Sequence, residues 1–183
     1  MNTYKLLAAL FDYPSDALLA DLRAAVAEAG SVQALLSGID SDGLFSSDER
    51  QAVAGFAEWL LAQEPTELQA RYVQTFDLTP EHSLHLTHHI FGDDKNRGPA
   101  LIDLTEYYKS YGFQLADERE LPDYLPLVLE FASLLGADES RVFLADAAKV
   151  FKALAGNLEK VESPWAPLVR LIENQGSLTR LAA

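Results

Sequence analysis

The chain of 183 residues contains no cysteine. Structural disulfides, thiolate zinc sites, iron–sulfur ligation and thiol catalysis are therefore excluded. Positive charge is also scarce. Fourteen lysines and arginines stand against 28 aspartates and glutamates, for a formal net charge of −14. Nucleic-acid binding rests on the attraction of Lys and Arg for phosphate, so no nucleic acid is expected as partner. An anionic membrane surface is disfavoured for the same reason, and a basic peptide or basic protein patch is favoured. No apolar run reaches membrane-spanning length, so no direct membrane insertion is expected. Residues 1–14 carry one lysine and a short apolar stretch broken by Asp12 and Pro14, a poor secretory signal. The expected location is cytoplasmic. Catalytic fingerprints are missing too: there is no Gly-x-Ser-x-Gly and no dinucleotide-binding glycine pattern.

What is present is apolar surface at helical spacing. Hydrophobic residues make up 49% of the chain, enough to exclude disorder as the default. A chain of this length buries about 70% of its extended surface. Helices are predicted over 3–11, 16–29, 47–63, 65–76, 81–91, 100–111, 126–135 and 138–155, with another from Pro164. Ser46 and Glu49 have the spacing of a capping box, Gly30 stands where a C-terminal glycine belongs, and Pro65 suits a first helical turn. Residues 38–46 and 92–98 read as loops, and 114–120 as a polar connection. No run alternates with period two over strand length. The expected fold is an all-α single helical domain spanning residues 1–183, of about eight or nine helices, with 176–183 as a frayed tail.

Four constellations invite a functional reading. All four histidines fall between His82 and His89. On a helix, His82, His85 and His89 would share a face, and two histidines one turn apart can bind zinc, nickel or copper. The other reading is a set of surface positions with one satisfied interior histidine. The loop at 92–98 has glycines at both ends but no Gly-Lys-Ser/Thr and no closing Glu, so it is neither a phosphate loop nor an EF-hand. Its Arg97 could pair with a carboxylate, either the chain's own or a partner's. Tyr107, Tyr108 and Tyr111 cluster on one helix and read mainly as core. The fourth is residues 120–131, the most apolar run, which carries Glu120, Asp123 and Glu130 and two prolines. Pro126 either starts the helix or kinks it. If the whole segment were helical, Asp123 and Glu130 would lie two turns apart on one face with Leu127 between them. Such a face suits a cationic, partly apolar partner, or else the acids simply solvate it.

Three segments together carry a family resemblance: Tyr72 to Asp77; Ser83 and Leu84 with His89, Gly92, Arg97, Gly98 and Ala100; and the run from Glu120 through Pro122, Asp123, Tyr124 and Leu125 to Leu129, Glu130 and Phe131. The chain resembles the NarJ nitrate reductase assembly chaperones, within the TorD-like group of redox enzyme maturation proteins. The third segment, a Pro-Asp-Tyr-Leu start followed by Leu-Glu-Phe, is the most specific. By position, His89, Gly92, Arg97, Gly98, Asp123, Leu129, Glu130 and Phe131 match the family pattern, whereas His82, His85 and His88 do not fall on family histidines. The chain stops soon after its last helix, without the C-terminal tail of longer members.

The resemblance implies an all-helical cytoplasmic chaperone that is not an enzyme and has no cofactor of its own. Its partners would be the N-terminal, signal-like peptide and the apo form of a molybdoenzyme catalytic subunit, nitrate reductase or a relative. It would hold that subunit open for molybdenum cofactor insertion before membrane docking or export, acting as a monomer or weak dimer. The client peptide is expected to lie as a helix in a groove. The expected peptide-binding residues are Asp77, His88, His89, Arg97, Glu120, Asp123, Tyr124, Leu127 and Glu130. A histidine-cluster metal-binding or metal-delivery protein using His82, His85 and His89 is the alternative.

Overall fold

The computed structural model describes residues 2–40, 43–114 and 120–181, those after 176 by backbone alone. Its first half is built from well-capped helices. Asn2 accepts the Lys5 N–H at the start of α1 (Thr3–Phe11). Ser15 caps α2 (Asp16–Ala29), which ends on Gly30 at φ 89°, where only glycine is unstrained. Ser31 caps α3 (Val32–Ile39). The predicted capping box opens α4 (Ser47–Ala62), with Ser46 and Glu49 each satisfying the other's backbone N–H. Pro65 stands in the first turn of α5 (Pro65–Tyr72), which runs on into a π-helical turn at Val73–Asp77.

The second half departs from the simple periodic reading. Residues 81–91 are not one helix. A 3₁₀ turn (Pro80–His82) is followed by extended backbone and then by the single turn of α6 (His88–Phe91). His82, Leu84 and Leu86 are buried while Ser83, His85 and Thr87 are half-exposed. That alternation is the period of an extended chain and not of a helix. α7 (Arg97–Ser110) begins three residues before its predicted start, and α8 (Leu125–Ala132) holds Pro126 harmlessly in its first turn. The predicted helix over 138–155 is two, α9 (Ala137–Ala145) and α10 (Ala148–Lys160). α11 (Ala166–Leu181) keeps the expected frayed tail helical to Leu181, and residues 182–183 lie outside the described ones. Most of the expected connection at 114–120 lies there too. The fold is all-α, with eleven α-helices among the described residues. The count exceeds the prediction because α3 adds a short helix and the 138–155 segment is divided. None of the described helices is long and apolar enough to cross a membrane.

The core forms around α1, α8 and α11. α1 packs on α8, and α11 packs on α9 and α10 and reaches α4. Trp165, just before α11, is fully buried, and its indole N–H donates to the Leu10 carbonyl at 3.2 Å. Phe56, Trp59, Tyr72 and Phe76 surround its ring. Full burial of each such ring stabilises the fold by about 1.5–3 kcal/mol. A second aromatic group surrounds Phe131 of α8: Tyr107, Tyr108 and Tyr111 from α7, Phe113 beyond it, and Phe143 from α9. Only Tyr108 of the three tyrosines is buried. Where α11 crosses α9, a Cβ on Gly176 would lie 3.1 Å from the backbone of Ala145, so glycine permits the close approach.

Candidate functional site

The extended chain at 84–86 pairs with the chain just before α8. Leu125 N–H donates to the Leu84 carbonyl at 2.9 Å, and Leu86 N–H donates to the Asp123 carbonyl at 3.0 Å. His85 and Tyr124 face each other across this bridge, their rings 5.3 Å apart. Tyr124 in turn anchors to the first half of the fold. Its hydroxyl lies 2.9 Å from that of Tyr72 and 3.3 Å from Asp12 Oδ1, and the Tyr72 hydroxyl donates to the Phe11 carbonyl at 2.8 Å. Burial pushes both phenols well above the usual tyrosine range, so both remain protonated donors.

Asp123 is the polar centre of this junction. It is 1% exposed. Its Oδ2 accepts the backbone N–H of Thr87 at 2.9 Å and the Thr87 hydroxyl at 2.5 Å, and its Oδ1 lies 3.3 Å from His85 Nδ1. Arg97, the first residue of α7, stands behind this set. Its Nε–H donates to Thr87 Oγ1 at 3.0 Å, and one of its terminal nitrogens is 3.7 Å from Asp123 Oδ2. Burial opposes the Asp123 charge, but the hydrogen bonds from His85 and Thr87 outweigh it and hold the carboxyl below the usual carboxylate range. His89 completes the frame, its Nε2–H donating to the Ser83 carbonyl at 2.7 Å. Burial lowers the His89 pKa against the opposing effect of that bond, so its ring favours the neutral form.

One side of Thr87 and Asp123 opens into a groove of about 360 Å³. Leu86 and Ile90 line it from the segment around α6, Leu104 and Tyr107 from α7, and Val128 from α8. The far wall is Phe143 and Leu144 of α9, the turn at Asp146 and Ala147, and Val150 of α10. Ile90 is 61% exposed on its lip. The lining is apolar apart from Thr87, the Tyr107 hydroxyl, Asp123 and Asp146, and it includes no lysine or arginine. A concave apolar surface with a few convergent polar groups is the usual form of a binding site. Tyr107 is held there by contacts behind it. Its ring packs on Phe131 and Phe143, and its hydroxyl is 3.4 Å from that of Tyr111, which donates to Glu139 at 2.6 Å.

The residues expected from sequence are dispersed by this arrangement. Of the nine, only Asp123 lines the groove, and its oxygens are engaged inside the fold. Because Pro126 starts α8 at Leu125, Asp123 lies outside the helix and points inward. Glu130 is exposed on α8, so the two acids do not share a face as a continuous helix would have required. Leu127 is half-buried on α8. Tyr124, Arg97 and His89 belong to the framework behind the groove. His88 is half-buried with its ring 6.0 Å from that of His89. Asp77 is exposed at the end of the π-helical turn. Glu120 is exposed in a separate hollow between α7 and residues 120–122.

The metal alternative loses its geometric basis, since residues 82–89 are not one helix. His82 Nδ1–H is used by the Thr75 carbonyl at 3.2 Å, His89 by Ser83 and His85 by Asp123. Among the described residues, no three His, Asp or Glu side chains converge to hold a metal ion. Sequence reasoning missed Ile90, Leu104, Phe143, Asp146 and Val150. Leu84 and Leu86 are the one sign of extended chain between His82 and Thr87, and two apolar positions are too few to set a strand period. The turn at Asp146 carries neither glycine nor proline and gave no such sign.

Residues 42–170 match the model of the family described as the nitrate reductase delta subunit. The nitrate reductase molybdenum cofactor assembly chaperone NarJ of Escherichia coli K12 is 34% identical over 140 residues, covering 76% of this chain and 59% of that protein. The probable chaperone of the same description, NarJ, from Bacillus subtilis 168 is 31% identical over 173 residues, covering 93% of this chain and 85% of that protein. The probable assembly chaperone NarW of Escherichia coli K12 is 39% identical over 113 residues, covering 62% and 48%. The chain thus spans about three-fifths of the length of the E. coli NarJ protein.

Proposed function

The chain belongs to the nitrate reductase delta subunit family of NarJ-type proteins, and from that premise we propose that it is a cytoplasmic chaperone for a molybdoenzyme. Its client is the apo catalytic subunit of nitrate reductase or of a related molybdenum oxidoreductase. It binds the N-terminal, signal-like segment of that subunit. Occupancy keeps the subunit open for molybdenum cofactor insertion and holds it back from membrane docking or export. The protein acts as a monomer or weak dimer, without catalysis or a cofactor of its own.

The observation that carries this reading is the groove: an apolar channel with two carboxylates and no basic residue in its lining, on a protein of net charge −14. An amphipathic helix bearing positive charge is complementary to it in both respects. The Asp123, Thr87 and Arg97 set fixes the floor and leaves the apolar walls to make the contact.

Titration calorimetry with a synthetic peptide of the nitrate reductase catalytic subunit's N-terminal segment tests it. The expected result is saturable one-to-one binding that Ile90→Asp weakens by about tenfold or more. Leu134→Asp, at an exposed residue outside the groove, leaves binding unchanged. Absence of binding by the folded wild-type chain, or equal losses from both variants, would overturn the proposal.

A further inference from the structure

The groove contains one carboxylate that the framework does not use. We infer that Asp146 is the residue through which the groove selects a lysine or arginine in its bound segment, an inference that rests on the reading of the groove as the client site. Asp146 sits where the helical run predicted over 138–155 is interrupted. α9 ends at Ala145, the Ala147 N–H closes on the Leu144 carbonyl at 3.1 Å, and α10 starts at Ala148. This turn brings Asp146 into the groove lining beside Ala147 and Val150.

Two acids line the groove, and their situations differ. Asp123 is 1% exposed, with both oxygens taken by Thr87 and His85. Asp146 is exposed, and among the described residues no lysine or arginine forms an ion pair with it. The arginine nearest in sequence, Arg141 of α9, turns to Asp138 at 3.8 Å. An incoming cation therefore meets Asp146 as an open acceptor without breaking an internal bond.

The surroundings favour a long basic side chain over a small cation. Phe143 and Val150 give an alkyl stem an apolar surface to lie along, with the charged head carried out to the carboxylate. Covering the groove removes water from the pair and strengthens it relative to an exposed one. The fitting guest is a helical segment in which the basic residue stands one turn from a large apolar residue, so that both reach the groove from one face.

Fluorescence anisotropy with the synthetic N-terminal peptide of the nitrate reductase catalytic subunit tests this. Each of the peptide's basic residues is replaced by Gln, one at a time, and each peptide is titrated into wild type, Asp146→Asn and Asp138→Asn. One Gln peptide should lose about five- to tenfold in affinity for wild type. Asp146→Asn should lose the same factor with the unaltered peptide and no more with that Gln peptide, and Asp138→Asn should match wild type. Unchanged affinity in Asp146→Asn, or a loss that adds to every peptide's loss, overturns the assignment while leaving the groove reading intact. A folded wild type that binds no peptide overturns both.

Discussion

Asp123 and Thr87 are joined twice, since one carboxylate oxygen of Asp123 takes both the backbone N–H and the hydroxyl of Thr87. The two residues belong to different segments and meet only in the folded chain, so this contact fixes where the α6 region sits against the start of α8. Asp123→Ala removes a buried acceptor, leaves the Thr87 N–H, the Thr87 hydroxyl and His85 Nδ1 without their partner, and leaves Arg97 with Thr87 alone. The expected cost is about 2–4 kcal/mol of unfolding free energy. Urea denaturation should show it as a lower midpoint at constant slope. A loss of peptide binding in this variant without a loss of stability would assign Asp123 to the client instead.

Acid should weaken the protein in two separate windows. His89 has a lowered pKa in the folded chain, so the unfolded chain takes up its proton first. Stability is whole above the unfolded value of about 6.5 and declines as pH falls below it. Asp123 has a lowered carboxyl pKa. Its contribution is present above about pH 4 and is lost as pH falls from there through the folded value. Urea midpoints between pH 7.5 and 5.5 isolate the first effect. His89→Gln keeps a donor for the Ser83 carbonyl and should flatten the curve in that interval.

Two glycines should respond oppositely to alanine. At Gly176 the new Cβ would meet the Ala145 backbone at 3.1 Å, which cannot yield without moving α9 from α11. Gly176→Ala should destabilise by about 1–3 kcal/mol. Gly55 is exposed within α4 and has nothing within 4 Å of the Cβ position. Gly55→Ala should stabilise by about 0.5–1 kcal/mol through helix propensity. Thermal unfolding of the two variants beside wild type checks both signs.

The Tyr72 and Tyr124 hydroxyls, 2.9 Å apart, should behave as a unit. Tyr72→Phe deprives the Phe11 carbonyl of a buried donor and should cost about 1–2 kcal/mol. The double variant should cost less than the two single changes together, by about 0.5–1.5 kcal/mol. Strict additivity in a denaturation cycle would show that the two hydroxyls are satisfied independently.

Local signals in the sequence were enough for much of the fold. Ser46 with Glu49, Gly30 and Pro65 each act at their own helix end, and each behaves as its chemistry requires. Pro126 could be narrowed to a helix start or a kink, and packing of α8 on α1 accompanies the start. The site was less legible because it depends on contacts between distant segments. Proline at 80 and glycine at 92 bracket a stretch that looks like a helix, and only pairing with Leu125 and Asp123 draws it out into extended chain. Asp123 stood out as an acid in an apolar run. Whether it faced out or in was decided by Thr87 and His85, 36 and 38 positions away. Asp146 falls inside the helix predicted over 138–155, where no residue announces the turn.

The bridge between residues 84–86 and 123–125 gives the groove a further character. It joins the segment that carries α6 and α7 to the body at its base, as a flap. Leu104 and Tyr107 lie on the flap, and Phe143 and Val150 on the body. The groove is therefore a seam between two parts and not a pit within one. Parting that seam would separate Tyr107 from Phe143, all three α7 tyrosines from Phe131, and the Tyr111 hydroxyl from Glu139. The width of the groove is therefore set by the packing of these rings.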